Sequence, residues 1–155
     1  MTNVYLQSIF IGMFAGMRSM SAPALVSNYL SDKQSPEIED SFFRLIASQK
    51  AAYVLTMLAV GEMVADKLPI IPDRISPVPL VGRAVSGAIC GASLSIVKDK
   101  DSGIGALAGG VAAIFSAYGF YYLRHKLGEA TGIPDALIGL AEDVIVVKGG
   151  QSVLK

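Results

Sequence analysis

The chain has one cysteine, one histidine and no tryptophan, and only 17% of its residues are charged. A lone Cys90 excludes an intrachain disulfide and a multi-thiol metal site. A lone His125 excludes H-E-x-x-H, and neither a P-loop nor a G-x-S-x-G turn occurs. No enzyme activity and no cofactor are therefore expected. Neither sign of charge is in excess: 13 basic residues balance 13 acidic ones. That argues against nucleic acid as a partner, which needs a basic face.

What remains is apolar. Hydrophobic residues make up 52% of the chain, and mean hydropathy is +0.52. Soluble domains carry about 25% charged residues, well above the share here. The 16 glycines fit the same reading, since glycine is more frequent in membrane helices than in soluble ones. The expected fold is an all-α integral membrane helical bundle, a single transmembrane domain over residues 1–155. A span needs about 20 mostly apolar residues. Four segments approach that: 4–30, 51–66, 80–97 and 103–123. A fifth, 136–147, contains Glu142 and Asp143 and is expected to be short or re-entrant. Ala22-Pro23-Ala24 imitates a signal-peptide cleavage site, but no Lys or Arg precedes the first apolar run and Arg18 interrupts it. The run is expected to stay as a first span.

The connections differ in kind. Residues 36–50 are polar and then amphipathic, suited to a membrane surface. The loop 68–79 holds Pro69, Pro72, Pro77 and Pro79 and cannot be helical throughout. With five crossings, Lys33, Arg44, Lys50, Lys98, Lys100, Lys148 and Lys155 share one side. Lys67, Arg74, Arg124 and Lys126 share the other. This bias favours an N-terminus outside and a C-terminus inside. Gly16-Met17-Arg18-Ser19-Met20-Ser21-Ala22 resembles Val81-Gly82-Arg83-Ala84-Val85-Ser86-Gly87, and Ile71-Pro72-Asp73 recurs as Ile133-Pro134-Asp135 at a nearly equal offset. An internal two-helix repeat, tandem or inverted, is one reading; chance similarity of small residues is the other. Gly12/Gly16, Gly87/Gly91 and Gly105/Gly109 each form a Gly-x-x-x-Gly spacing. Such spacing lets helices approach closely, within one chain or in a homodimer.

Chemistry can reside in few places. Glu62 and Asp66 are four apart, on one helix face. Arg18, Arg83, Glu142 and Asp143 also lie in or beside apolar segments. An ionised group at the bilayer centre costs at least about 2.5–3.5 kcal/mol on insertion scales, so these six residues should face the interior and find partners. They form either an internal set of salt bridges or a site for an ion or small polar solute. Carboxylates suit a hard cation, but no spacing singles out a metal site. Two functions follow: a translocator or binder of an ion or small polar solute, or a non-transporting scaffold or lipid-binding protein whose charges are structural.

Three motifs together resemble a known family. Gly16-Met17-Arg18-Ser19 lies in the first span. Glu62-Met63-Val64-Ala65-Asp66-Lys67-Leu68-Pro69 ends the second. Leu140-Ala141-Glu142-Asp143 lies near the C-terminus. The chain is similar over most of its length to the bacterial membrane proteins of domain-of-unknown-function family 4126. The resemblance implies a small multi-pass protein of the bacterial inner membrane, with no settled activity. It draws attention to Arg18, Glu62, Asp66, Lys67, Glu142 and Asp143.

Overall fold

The computed structural model describes residues 3–33, 38, 42–65 and 75–155. Asp66, Lys67, Asp73, Arg74 and most of the proline-rich loop lie outside the described residues. Within them the chain is all-α, with no strand. Six helices follow in order: α1 (Val4–Met17), α2 (Ser21–Lys33), α3 (Gln49–Ala65), α4 (Pro77–Val97), α5 (Ser102–Thr131) and α6 (Asp135–Val153). A 3-10 turn, Phe42–Leu45, precedes α3.

The expected first span, 4–30, is not one helix. It breaks at Arg18, whose backbone is extended (φ −142°, ψ 109°). Pro23 gives the physical reason. In a continuous helix its ring would meet the carbonyl of Ser19, and it has no N–H to offer that carbonyl. The chain therefore stops after Met17 and restarts at Ser21, with Pro23 in the first turn of α2, where a missing N–H costs least.

The second half turns back. Along α1, Gln7 bonds to Val153, Phe14 lies against Gly149, and Arg18 reaches Gly139 and Asp143, so α1 runs antiparallel to α6. Along α2 the order reverses: Leu25 lies against Gly150, farther toward the end of α6. Thus α1 and α2 double back within the bundle as a helical hairpin, in this geometric sense a re-entrant pair, with its tip at Arg18–Met20. Val4 and Val153 both lie at one end of the bundle. The first apolar run therefore doubles back within the bundle instead of running its length as one helix. At about 1.5 Å per residue, the 14 residues of α1 rise about 21 Å, short of a hydrocarbon core of about 30 Å.

Other boundaries also move. The fifth segment is neither short nor confined to 136–147: α6 has 19 residues. α5 runs on past the expected 123 to Thr131. Pro77 opens α4 in the first turn, after Ser76. Phe43 and Ile46 pack against the core instead of lying free on a surface. Two helices among the described residues, α4 and α5, are long and apolar enough to cross a membrane. Arg18 and Arg83, matched in the apparent repeat, differ in backbone: one stands in an extended break, the other within a helix.

α1, α4 and α5 pack most closely, and glycine is why. A Cβ on Gly12 or on Gly87 would overlap the carbonyl of Gly109. One on Gly91 would overlap that of Gly105, and one on Gly16 that of Ala113. The three Gly-x-x-x-Gly faces are thus filled within one chain. Gly109→Ala is expected to destabilise the fold by about 1–3 kcal/mol, the usual cost of overpacking. Gly119→Ala on the same helix meets nothing within 4 Å. It should be neutral or slightly stabilising, since alanine favours helix over glycine. Thermal denaturation in detergent checks both; equal midpoints for the two variants would contradict the packing.

Polarity is inverted relative to a water-soluble domain. Arg18, Arg83, Glu142, Asp143 and a series of serines are buried. Tyr53, Met57, Val78, Leu107, Phe115 and Val144 are each more than half exposed.

Candidate functional site at the re-entrant tip

A broken helix leaves orphan backbone groups on both sides of the break. Here each side receives a charged partner. The carbonyls of Gly16 and Met17, at the end of α1, accept from Nη1 of Arg83 at 2.7 and 3.2 Å. A cation at a helix C-terminus also complements the helix dipole. The carbonyl of Met13 accepts from Ser116 Oγ at 2.6 Å. Ser19's carbonyl, which Pro23 cannot serve, accepts from Ser86 Oγ at 2.6 Å.

Glu62 serves the other side. Its Oε1 accepts from the Ser19 amide at 2.9 Å and from Ser19 Oγ at 2.8 Å. Its Oε2 accepts from the Met20 amide at 2.8 Å. The carboxylate thereby caps the start of α2 from a different helix. Charge-assisted bonds of this kind are about twice as strong as neutral ones. Glu62 meets backbone amides here, where the sequence suggested an arginine.

Arg18 occupies the tip and is 1% exposed. Its Nε lies 2.8 Å from Asp143 Oδ1, and its Nη2 donates to the Gly139 carbonyl at 3.4 Å. Arg124 arrives from α5 on the far side of Gly139. It pairs with Asp135, which opens α6, and lies 3.5 Å from Glu142 Oε2. A Cβ on Gly139 would stand 3.3 Å from Arg124 and 3.6 Å from Arg18, so two guanidinium groups approach one glycine. Glu142 and Asp143, adjacent in sequence, point about 100° apart on α6 and take different arginines.

Of the six charged candidates, Arg18 and Asp143 pair directly, Arg83 and Glu62 hold the two sides of the break, and Glu142 faces Arg124. Asp66 lies outside the described residues. Sequence reasoning missed Arg124, which sits in Arg124-His125-Lys126 and reads as a solvated exit. It also missed Ser86 and Ser116. The usable signal was Pro23, which requires that some group accept the task of bonding the Ser19 carbonyl.

A cavity of about 520 Å³ opens between α2, α3 and α6. Its walls are mostly apolar, with Ser21, Asn28, Asp32, Thr56 and Gln151 as the polar groups among them. It extends from Asp32, at the end shared by Val4 and Val153, to Ser21 beside the tip. Ala59 and Met63 line it on α3, one position or one turn from Glu62. Ser21 Oγ is buried and finds no hydrogen-bond partner among the described residues.

The model of a domain of unknown function (DUF4126) matches residues 6–151, and the chain belongs to this family. The match spans all but the first two residues of the re-entrant pair and every charged residue of the tip. No curated protein and no solved structure matches the chain.

Proposed function

We propose that this DUF4126 member is a multi-pass protein of the bacterial inner membrane that binds or translocates an ion or small polar solute at the re-entrant tip. One observation carries the reading: two half-helices end inside the bundle, at a charged cluster approached by a cavity that has polar groups along an otherwise apolar wall. Non-helical backbone at membrane depth is tolerated only where it is buried in protein or lines a cavity. Transporters place half-helix ends at their substrate sites. The exposed apolar belt and buried charges support a lipid surrounding. α3 to α6 then act as the crossing helices, with the α1–α2 pair inserted from one side. Lys33, Lys50, Lys98, Lys100 and Lys155 gather at that side, and this excess of lysine supports a cytoplasmic orientation for it. The cavity is the entry path, and Ser21 Oγ offers a polar group at its inner end.

The second reading, a non-transporting scaffold or lipid-binding protein, is favoured by the tip's pairing. Arg18, Arg83 and Glu62 all have protein partners that hold the break together. Proton, sodium and potassium flux in reconstituted liposomes separates the two. Thr56→Trp fills the cavity mouth without touching the tip and should reduce flux at least fivefold. Equal flux through both proteins would sink the translocation path. Absence of flux of all three ions through the wild type would favour the scaffold.

A further inference from the structure

A second cleft lies about 21 Å of helix rise from the tip, at the end where α1 begins and α6 finishes. Its volume is about 1030 Å³, and Lys98, Lys100 and Lys155 line it with Asn3, Tyr5 and Gln7. Two parts of the chain bring the lysines together. Lys98 and Lys100 come from the α4–α5 turn, and Lys155 follows α6. Among the described residues, no acidic side chain lines it. Asp101, next to Lys100, has its Oδ1 on the Ile104 amide at 2.9 Å, capping α5.

The cleft is built, not a chance gathering of surface lysines. Gln7 is 2% exposed and fixed on both sides. Its Nε2 donates to the Val153 carbonyl at 2.7 Å, and its Oε1 accepts from Lys98 Nζ at 2.5 Å. One buried amide thus ties α1 to the end of α6 and holds an ammonium group at the cleft. Gathering three like-charged side chains is unfavourable until an anion enters. Phosphate answers this chemistry: several acceptor oxygens and one to two negative charges, with lysine a common partner. The volume leaves room for the group esterified to it.

We infer that the Lys98–Lys100–Lys155 cleft is a binding site for a phosphate group. Two sources carry that chemistry: an anionic phospholipid headgroup and a free phosphate. The first is the expected occupant. Leu6, Ile9 and Phe10 are exposed on α1 just beyond the cleft and offer an apolar wall for acyl chains. Clusters of basic residues beside membrane helices attract anionic lipid. The lipid source rests on the membrane reading; the phosphate site does not, and neither depends on transport.

The test uses the full chain in uncharged detergent micelles. The probes are phosphatidylglycerol, phosphatidylcholine with the same acyl chains, and inorganic phosphate, with binding followed by native mass spectrometry and melting temperature. Phosphatidylglycerol should bind and raise the midpoint, and phosphatidylcholine should not. The triple variant Lys98→Gln/Lys100→Gln/Lys155→Gln should lose at least tenfold in affinity. Lys100→Gln/Lys155→Gln, which keeps the Gln7–Lys98 bridge and so its fold, should lose at least threefold. Lys33→Gln/Lys50→Gln/Lys148→Gln removes the same charge outside the cleft and should stay within twofold of wild type. Inorganic phosphate binding with the same dependence on the three lysines, and no lipid selectivity, would support the site and identify a free phosphate as its ligand. Equal losses in the two triple variants, or no binding of either phosphate probe by wild type, would overturn the proposal.

Discussion

Arg18→Ala is expected to destabilise the fold by about 3–5 kcal/mol, the cost of leaving a buried carboxylate without its partner. Asp143 is the group left behind. Its Oδ1 stands 2.8 Å from Arg18 Nε, and it is held on α6 inside the bundle. The Gly139 carbonyl loses a donor in the same step. Arg18→Lys should recover little, since an ammonium lacks the planar fork that reaches Asp143 and Gly139 together. Arg18→Met combined with Asp143→Leu should recover most of the stability, because apolar replacement of a whole buried pair is often neutral or better. The check is a double-mutant cycle followed by thermal denaturation in micelles. Additive losses, with the double variant worse than either single one, would show that the pair does not hold the tip.

The re-entrant pair explains why the charges are where they are. Carrying ionised groups into an apolar bundle is costly, and a continuous helix would supply nothing to offset them. A broken helix supplies its own counter-groups. The C-terminus of α1 presents carbonyls and attracts Arg83. The N-terminus of α2 presents amides and attracts Glu62. Arg18, left in the extended link, reaches Asp143 and the Gly139 carbonyl of α6. The tip thus exchanges backbone orphans for side-chain charges, and each offsets the desolvation of the other.

Sequence alone carried part of this. Charged residues in apolar surroundings are conspicuous, so Arg18, Arg83, Glu62, Glu142 and Asp143 were all legible. The glycine spacings were legible as packing faces because no side chain intervenes. The break was not, because hydropathy runs on through 4–30 and is blind to direction. Pro23 marked it, but the flanking alanines gave it the look of a cleavage site. Arg124 was hidden for a different reason. Its neighbours His125 and Lys126 are exposed, and only the length of α5 and the position of Asp135 turn it inward. The partner of Glu62 was hidden as well, since backbone amides freed by a break have no letter in a sequence.

Glu62→Gln tests whether that carboxylate is a cap or a carrier of charge. In the structure both oxygens are engaged, three bonds in all, and two of the donors are backbone amides at the start of α2. Glutamine keeps one acceptor oxygen and replaces the other with an NH₂ group, which would face the Met20 or Ser19 N–H donor to donor. At about 1.5–3 kcal/mol for each hydrogen bond to a charged group, losing one bond and weakening the others should cost on the order of 2–4 kcal/mol. Glu62→Asp should cost nearly as much, because its side chain is one methylene shorter and both amides are addressed from another helix. The local signature is sharper than the global one. Amide hydrogen exchange at Ser19 and Met20 should accelerate at least tenfold in Glu62→Gln, while amides of α4 and α5 near Gly87 and Gly109 stay protected. If exchange at Ser19 and Met20 matches wild type, the carboxylate is not their acceptor in solution. Glu62 would then be available to bind a cation or proton, and any loss of flux in the variant would report charge instead of a loosened tip.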